Sequence, residues 1–97
     1  MTPKARIVVI DDDAKTAAAV ETLFREGGHE VACAHEASAG LALVERIDAD
    51  VVLADLGMDG LELLKQIRKA RPRAMVILTT ASGTVKRAVR ALSLIHI

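Results

Sequence analysis

Ile7-Val8-Val9-Ile10 runs directly into Asp11-Asp12-Asp13, and Val51-Val52-Leu53-Ala54 runs into Asp55. Short runs of β-branched and aliphatic residues bounded by charge read as strands buried on both faces, as in a parallel sheet. In open parallel sheets ligands bind beyond the carboxyl ends of the strands, where the strand order reverses. If the two runs are neighbouring strands, their acids converge on one crevice. Such a crevice suits a hard cation and chemistry on oxygen.

The other elements alternate in a βαβα rhythm, which predicts a doubly wound parallel sheet of the α/β class. The first strand covers Arg6–Ile10, and Asp13 is placed to cap a helix from Ala14 to Glu26 that closes at Gly27-Gly28. A second strand over Glu30–Ala34 leads to a helix from near Ser38 to Ile47, with Leu41, Val44 and Ile47/Asp48 on one side. The third strand is Asp50–Asp55. A glycine-bearing link, Leu56 to Gly60, precedes a helix over Leu61–Ala70 whose inward stripe is read as Leu61, Leu64 and Ile67, and Pro72 blocks its continuation. Met75–Thr80 is the fourth strand. Ala81-Ser82-Gly83 then turns toward a fourth helix from Thr84, with Val85, Ala88, Val89 and Leu92 as its apolar positions.

Composition narrows the class. A chain of 97 residues is one domain, and at 52% hydrophobic with Phe24 as its one aromatic it must build an aliphatic core. No apolar run approaches the roughly 18 residues of a membrane span, and Met1-Thr2-Pro3-Lys4 opens no signal peptide. Cys33 is alone within the apolar stretch Val31 to Ala34, so it reads as a small core residue; a cytoplasmic setting is the default. Residues 1–62 hold all 13 acidic side chains and 5 of the 13 basic ones, a net of −8, which residues 63–97 balance with +8. No aromatic stacking platform accompanies that basic half, so it reads as solvated helix faces and not as a nucleic-acid surface. His29, His35 and His96 share no ligand spacing and read as turn or surface residues.

A strand-end aspartate can act as a nucleophile toward phosphorus, forming an acyl phosphate. A phosphoryl group arriving at Asp55 would meet carboxylates about 5 Å away, each costing about 3 kcal/mol at an effective dielectric near 20. A divalent ion must therefore sit among them. Mg²⁺ fits, because it takes oxygen ligands and needs only one or two carboxylates. Thr79 and Thr80 end the fourth strand and point to opposite sides, so one hydroxyl can face the crevice.

Four stretches together resemble the receiver domain of two-component response regulators: Ile10-Asp11-Asp12-Asp13, Val52-Leu53-Ala54-Asp55-Leu56, Asp59-Gly60-Leu61-Glu62-Leu63-Leu64 and Val76-Ile77-Leu78-Thr79-Thr80-Ala81. The Ala81-Ser82-Gly83-Thr84 stretch is most similar to receivers that precede transcription activators of the AAA+ class. The resemblance implies a flavodoxin-like sheet, here in the order 2-1-3-4 with the fifth strand and fifth helix missing. It matches Asp55 to the phosphoacceptor and Asp11 and Asp12 to the acidic pair that holds Mg²⁺. Asp13 matches a third acid that more often caps the helix. Thr80 matches the hydroxyl that contacts the phosphoryl group and reorients on activation, and the Gly57 backbone carbonyl matches a further metal ligand. Implied partners are a sensor histidine kinase, an output domain downstream and a second copy in a homodimer, with no direct nucleic-acid or membrane contact by this domain.

Two departures shape the expectation. Asp55 and Gly60 are five residues apart, where the family usually has a longer link containing a Met-Pro step. That shortening bears on the Gly57 carbonyl and on the tilt of the third helix. The lysine that normally pairs with the phosphoryl group is absent as well, so the sequence reads as a single incomplete receiver over residues 1–97, with 93–97 as a foreign tail and with weak or absent phosphorylation expected despite an intact acid pocket. It is expected to be no enzyme beyond slow self-dephosphorylation. One alternative is a non-catalytic pseudo-receiver that docks partners. A remote one is a haloacid-dehalogenase-like phosphatase built on Asp11-x-Asp13, although Lys15 stands where that family has Thr or Val.

Overall fold

The computed structural model describes residues 4–55 and 60–79. Its elements run β1 (Arg6–Ile10), α1 (Ala14–Glu26), β2 (Glu30–Ala34), α2 (Ala37–Arg46), β3 (Val51–Asp55), α3 (Gly60–Ala70) and β4 (Met75–Thr79). All the strand pairs are parallel, and the order is β2-β1-β3-β4. This is the doubly wound order expected from the sequence. The expected fourth helix from Thr84 and the 93–97 stretch lie outside the described residues.

Strand alternation sends β1 side chains to two cores. Val8 and Ile10 join Val44, Val52, Ala54, Leu63, Ile67, Val76 and Leu78 beneath α2 and α3. Ile7 and Val9 join Ala17 and Val31 beneath α1, with Val20 and Phe24 packed at the margin. Because both faces of β1 are covered, all four residues of its apolar run are buried. That explains why the run shows no polar alternation.

Asp13 caps α1, its side chain accepting from the Lys15 amide at 3.1 Å. The helix closes at Gly27, and Gly28 follows with φ of 90°, the left-handed geometry that favours glycine. In α3 the buried positions are Gly60, Leu63 and Ile67, with Leu64 packed against the core, whereas Leu61 is 70% exposed. The stripe read as Leu61, Leu64 and Ile67 is therefore shifted. The spacing i, i+3, i+6 drifts across a 3.6-residue turn, and starting the helix at Gly60 aims Leu61 outward. The second helix starts at Ala37 after Glu36, which makes no side-chain cap, so Ser38 lies inside it.

The opposite end of the sheet is pinned by Asp50. Its carboxylate accepts from the Arg6 amide at 2.8 Å, its amide donates to the Arg6 carbonyl at 2.8 Å, and its carbonyl accepts from the Met75 amide at 2.9 Å. One residue thus ties the entries of β1 and β4 to that of β3. Asp48, at φ 52°, turns the chain out of α2, and its carboxylate pairs with Arg71 at 3.1 Å.

The free side of β2 is partly covered. The Glu30 amide and the Ala34 carbonyl face β1, so the backbone groups of Val31 and Cys33 face outward. Arg25 donates to the Val31 carbonyl at 2.8 Å while Glu21 holds its Nε at 2.8 Å, which blunts a strand edge that would otherwise invite pairing. Glu21 also accepts from the Cys33 thiol at 3.3 Å. Burial, then the Glu21 carboxylate, push that thiol up to about 11, so it stays protonated and unreactive at neutral pH.

The tightest approach of helix to sheet is at Gly40 of α2. A Cβ there would lie 2.5 Å from both Cγ1 and Cδ1 of Ile10, which is fully buried. Overpacking of this kind costs about 1–3 kcal/mol and outweighs the roughly 1 kcal/mol that Ala gains over Gly in a helix. Gly40→Ala is therefore expected to destabilise the protein in urea unfolding. In an Ile10→Ala background, where the obstructing atoms are gone, the same substitution is expected to become stabilising. Equal effects in both backgrounds would show that this contact does not set the spacing of α2 on the sheet.

Candidate functional site

The last rung between β1 and β3 is Ile10 opposite Ala54, so Asp11 and Asp55 stand one residue beyond it, side by side at the strand tips. They are the two buried charged residues among those described, 9% and 5% exposed. Asp12 is exposed at the rim. One carboxylate oxygen from each of Asp11, Asp12 and Asp55 lies within 4.8 Å of the others. The sequence reading of converging acids is met by this arrangement.

Asp11 is held by three hydrogen bonds. Its amide donates to the Ala34 carbonyl at 3.0 Å, its Oδ1 accepts from the Asp13 amide at 2.9 Å, and its carbonyl lies 3.1 Å from His35 Nδ1. The first continues the β1–β2 ladder past the end of β1. Asp13 is committed elsewhere, accepting from the Lys15 amide and from the Thr16 hydroxyl at 2.8 Å. Those bonds, the hydroxyl first, hold its carboxyl below the usual range. The third acid therefore serves α1 and not the crevice.

Thr79 is paired in register with Asp55, which brings the end of β4 alongside the acids. Thr80, Gly57 and Asp59, singled out from the sequence, lie outside the described residues. The role of His35 was not legible: a histidine just past a strand carries no pattern that distinguishes a surface residue from one bonded to the neighbouring strand's end.

The electrostatics of the cluster are unfavourable by themselves. Burial raises the Asp11 pKa above its usual value, opposed by the hydrogen bond from the Asp13 amide and reinforced by the charges of Asp55, Asp12 and Asp13. The folded protein then holds that proton more tightly than the unfolded chain does, so stability falls as pH rises through the carboxylate range. Asp11→Asn keeps an Oδ1 acceptor for the Asp13 amide and removes the buried charge. In metal-free buffer at pH 7 the variant is expected to be more stable by about 1 kcal/mol, a Tm rise of about 4–8 °C. The advantage should disappear at a pH below the carboxylate range, where both proteins are uncharged at this position. A variant no more stable than the parent at pH 7 would contradict this account of the cluster.

Comparison with known proteins places the arrangement in a family. The family model described as "Response regulator receiver domain" matches residues 7–95. The chain is 39% identical over 95 residues to the regulatory protein AtoC of Escherichia coli, covering 95% of this chain and 21% of that protein. It is 36% identical over 91 residues to the response regulator protein FleR of Pseudomonas aeruginosa, covering 91% of this chain and 19% of that protein. The chain thus spans about a fifth of the length of these curated relatives. Among solved structures it superposes on a response regulator receiver domain protein from Clostridium thermocellum with a TM-score of 0.78 at 30% identity, covering 94% of this chain and 76% of that one. It superposes on NtrX from Brucella abortus with a TM-score of 0.82 at 31% identity, covering 94% of this chain and 21% of that one. With paired acids at the tips of adjacent parallel strands and a family match along nearly its whole length, the chain belongs to the response regulator receiver domains.

Proposed function

We propose that this receiver accepts a phosphoryl group on Asp55 from a phosphohistidine of a sensor kinase, with Mg²⁺ held by Asp11, Asp12 and Asp55. The observation that carries the reading is the convergence of three carboxylates, from two adjacent strand ends, within 4.8 Å. The donor set fits the ion. It is all oxygen, and the three carboxylates already converge within 4.8 Å, around an ion that binds through one or two carboxylates and keeps waters in its remaining positions. Burial, and after it the charges of Asp55 and Asp12, raise the Asp11 pKa, a second sign that the crevice suits a cation.

In the transfer, a carboxylate oxygen of Asp55 forms the new bond to phosphorus as the phosphorus–nitrogen bond of the donor breaks. The imidazole keeps that electron pair and leaves as the neutral base after taking up a proton. Burial of Asp55 and its fixed place at the end of β3 hold the nucleophile in one orientation, which removes entropy from the barrier. Bound magnesium would supply the positive charge that lets a phosphoryl group approach three carboxylates. Thr80 would donate a hydrogen bond to a phosphoryl oxygen and carry the change toward the segment after β4, and the Gly57 carbonyl would complete the ion's protein ligands; both assignments rest on the family resemblance.

The whole chain, residues 1–97, is read as one receiver unit. Relatives described as regulatory and transcriptional regulatory proteins support an output domain that activates transcription. No helix among the described residues is long and apolar enough to cross a membrane, in keeping with a proposed cytoplasmic site of action.

Incubation with acetyl phosphate tests the proposal. Intact mass should increase by one phosphoryl group when Mg²⁺ is present, the increase should be lost with a chelator, and Asp55→Asn should abolish it. Asp12→Ala should raise the Mg²⁺ concentration needed about tenfold or more. Labelling that persists in Asp55→Asn, or that ignores the metal, would refute the assignment.

A further inference from the structure

His35 follows β2 directly, and its Nδ1 lies 3.1 Å from the Asp11 carbonyl oxygen. A carbonyl only accepts, so Nδ1 must carry the proton. That requirement is met by the imidazolium and by one neutral tautomer, so the bond persists whichever charge the ring has. The geometry has a structural logic. The β1–β2 ladder ends with the Asp11 amide donating to the Ala34 carbonyl, after which the backbone of β2 turns into α2. The His35 ring then supplies the donor that the next rung of the ladder would have provided.

Asp11 is in this way gripped at its amide, at its carbonyl and, through the Asp13 amide, at its carboxylate. Only the carbonyl grip comes from a side chain outside the acidic turn. A carboxylate that must meet two others within a few ångströms loses affinity for a shared ion when its backbone can rock. The repulsion described above pushes Asp11 away from Asp55, and the bond from β2 resists that movement.

We infer that His35 is a positioning residue for the cation site, holding the Asp11 backbone from β2 so that its carboxylate stays aligned with Asp12 and Asp55. The inference rests on the metal-binding reading of the acids. It assigns no ligand role to the imidazole, which touches the backbone and not the carboxylates.

The test compares His35→Ala and His35→Asn with the parent chain. The Asn side-chain nitrogen stands the same number of bonds from the backbone as Nδ1 and can replace the donor. Magnesium dissociation constants are read from amide shifts. His35→Ala should weaken Mg²⁺ binding about three- to tenfold, the range of one hydrogen bond's net contribution, and His35→Asn should restore it to within about twofold. Equal affinity in the Ala variant overturns the inference, as does an Asn variant as weak as Ala. Loss of thermal stability without a change in affinity also overturns it, because that marks a merely structural bond. Long-range proton–nitrogen spectra of the metal-free protein give a separate readout: the ring should carry its proton on Nδ1, and a ring protonated only on Nε2 refutes the clamp. A parent chain with no magnesium response, but with the Nδ1 proton in place, sinks the metal site and this role together while leaving the clamp itself standing.

Discussion

The parallel register between β1 and β3 is the constraint on which the rest depends. Opposing Ile10 to Ala54 aligns the next residue of each strand, so Asp11 and Asp55 meet at the tips. A slip by one residue would turn every side chain of one strand to the other face, moving Ile10 out of the α2 and α3 core and Asp55 away from the acids. The register is held from both sides. Alternating apolar side chains lock it through the two cores, and Asp50 locks it at the opposite end through bonds to Arg6 and Met75. Accuracy at the acidic end is thus set by packing along the whole strand.

This arrangement concentrates negative charge at the tips of two adjacent strands. Burial first and the neighbouring carboxylates after it raise the pKa of Asp11, and they give the crevice its chemistry: buried, clustered carboxylates have free energy to gain from a cation. Asp13 is spared this by turning to cap α1, which separates an acid that shapes the turn from acids that share the crevice. The adjoining helix also depends on close approach, since Gly40 lets α2 lie against the buried Ile10, the residue that precedes Asp11.

Much of this was legible in the residues. β1 and β2 were readable to the residue because charge and glycine bound their apolar runs, and Asp13 was readable as a cap because it sits one step before a helix-forming stretch. The acid convergence was legible because strand ends are where charge meets a continuous apolar run. Leu61 was misplaced because a leucine at helical spacing has the same appearance whether it faces the core or solvent, and only the start of α3 at Gly60 decides. The bond from His35 to Asp11 depends on two strands being adjacent and equally long, information that resides in three dimensions.

Paramagnetic broadening by Mn²⁺, which takes the same oxygen ligands as Mg²⁺, tests most directly whether the two strand tips build one cation site. Added at substoichiometric amounts, Mn²⁺ should broaden first the amides of Asp11, Asp12, Asp13, Ala54 and Asp55 together, and excess Mg²⁺ should restore them. Broadening centred instead on the carboxylates of Glu30, Asp48 and Asp50 at the other end of the sheet, or spread evenly over the surface, would contradict the account.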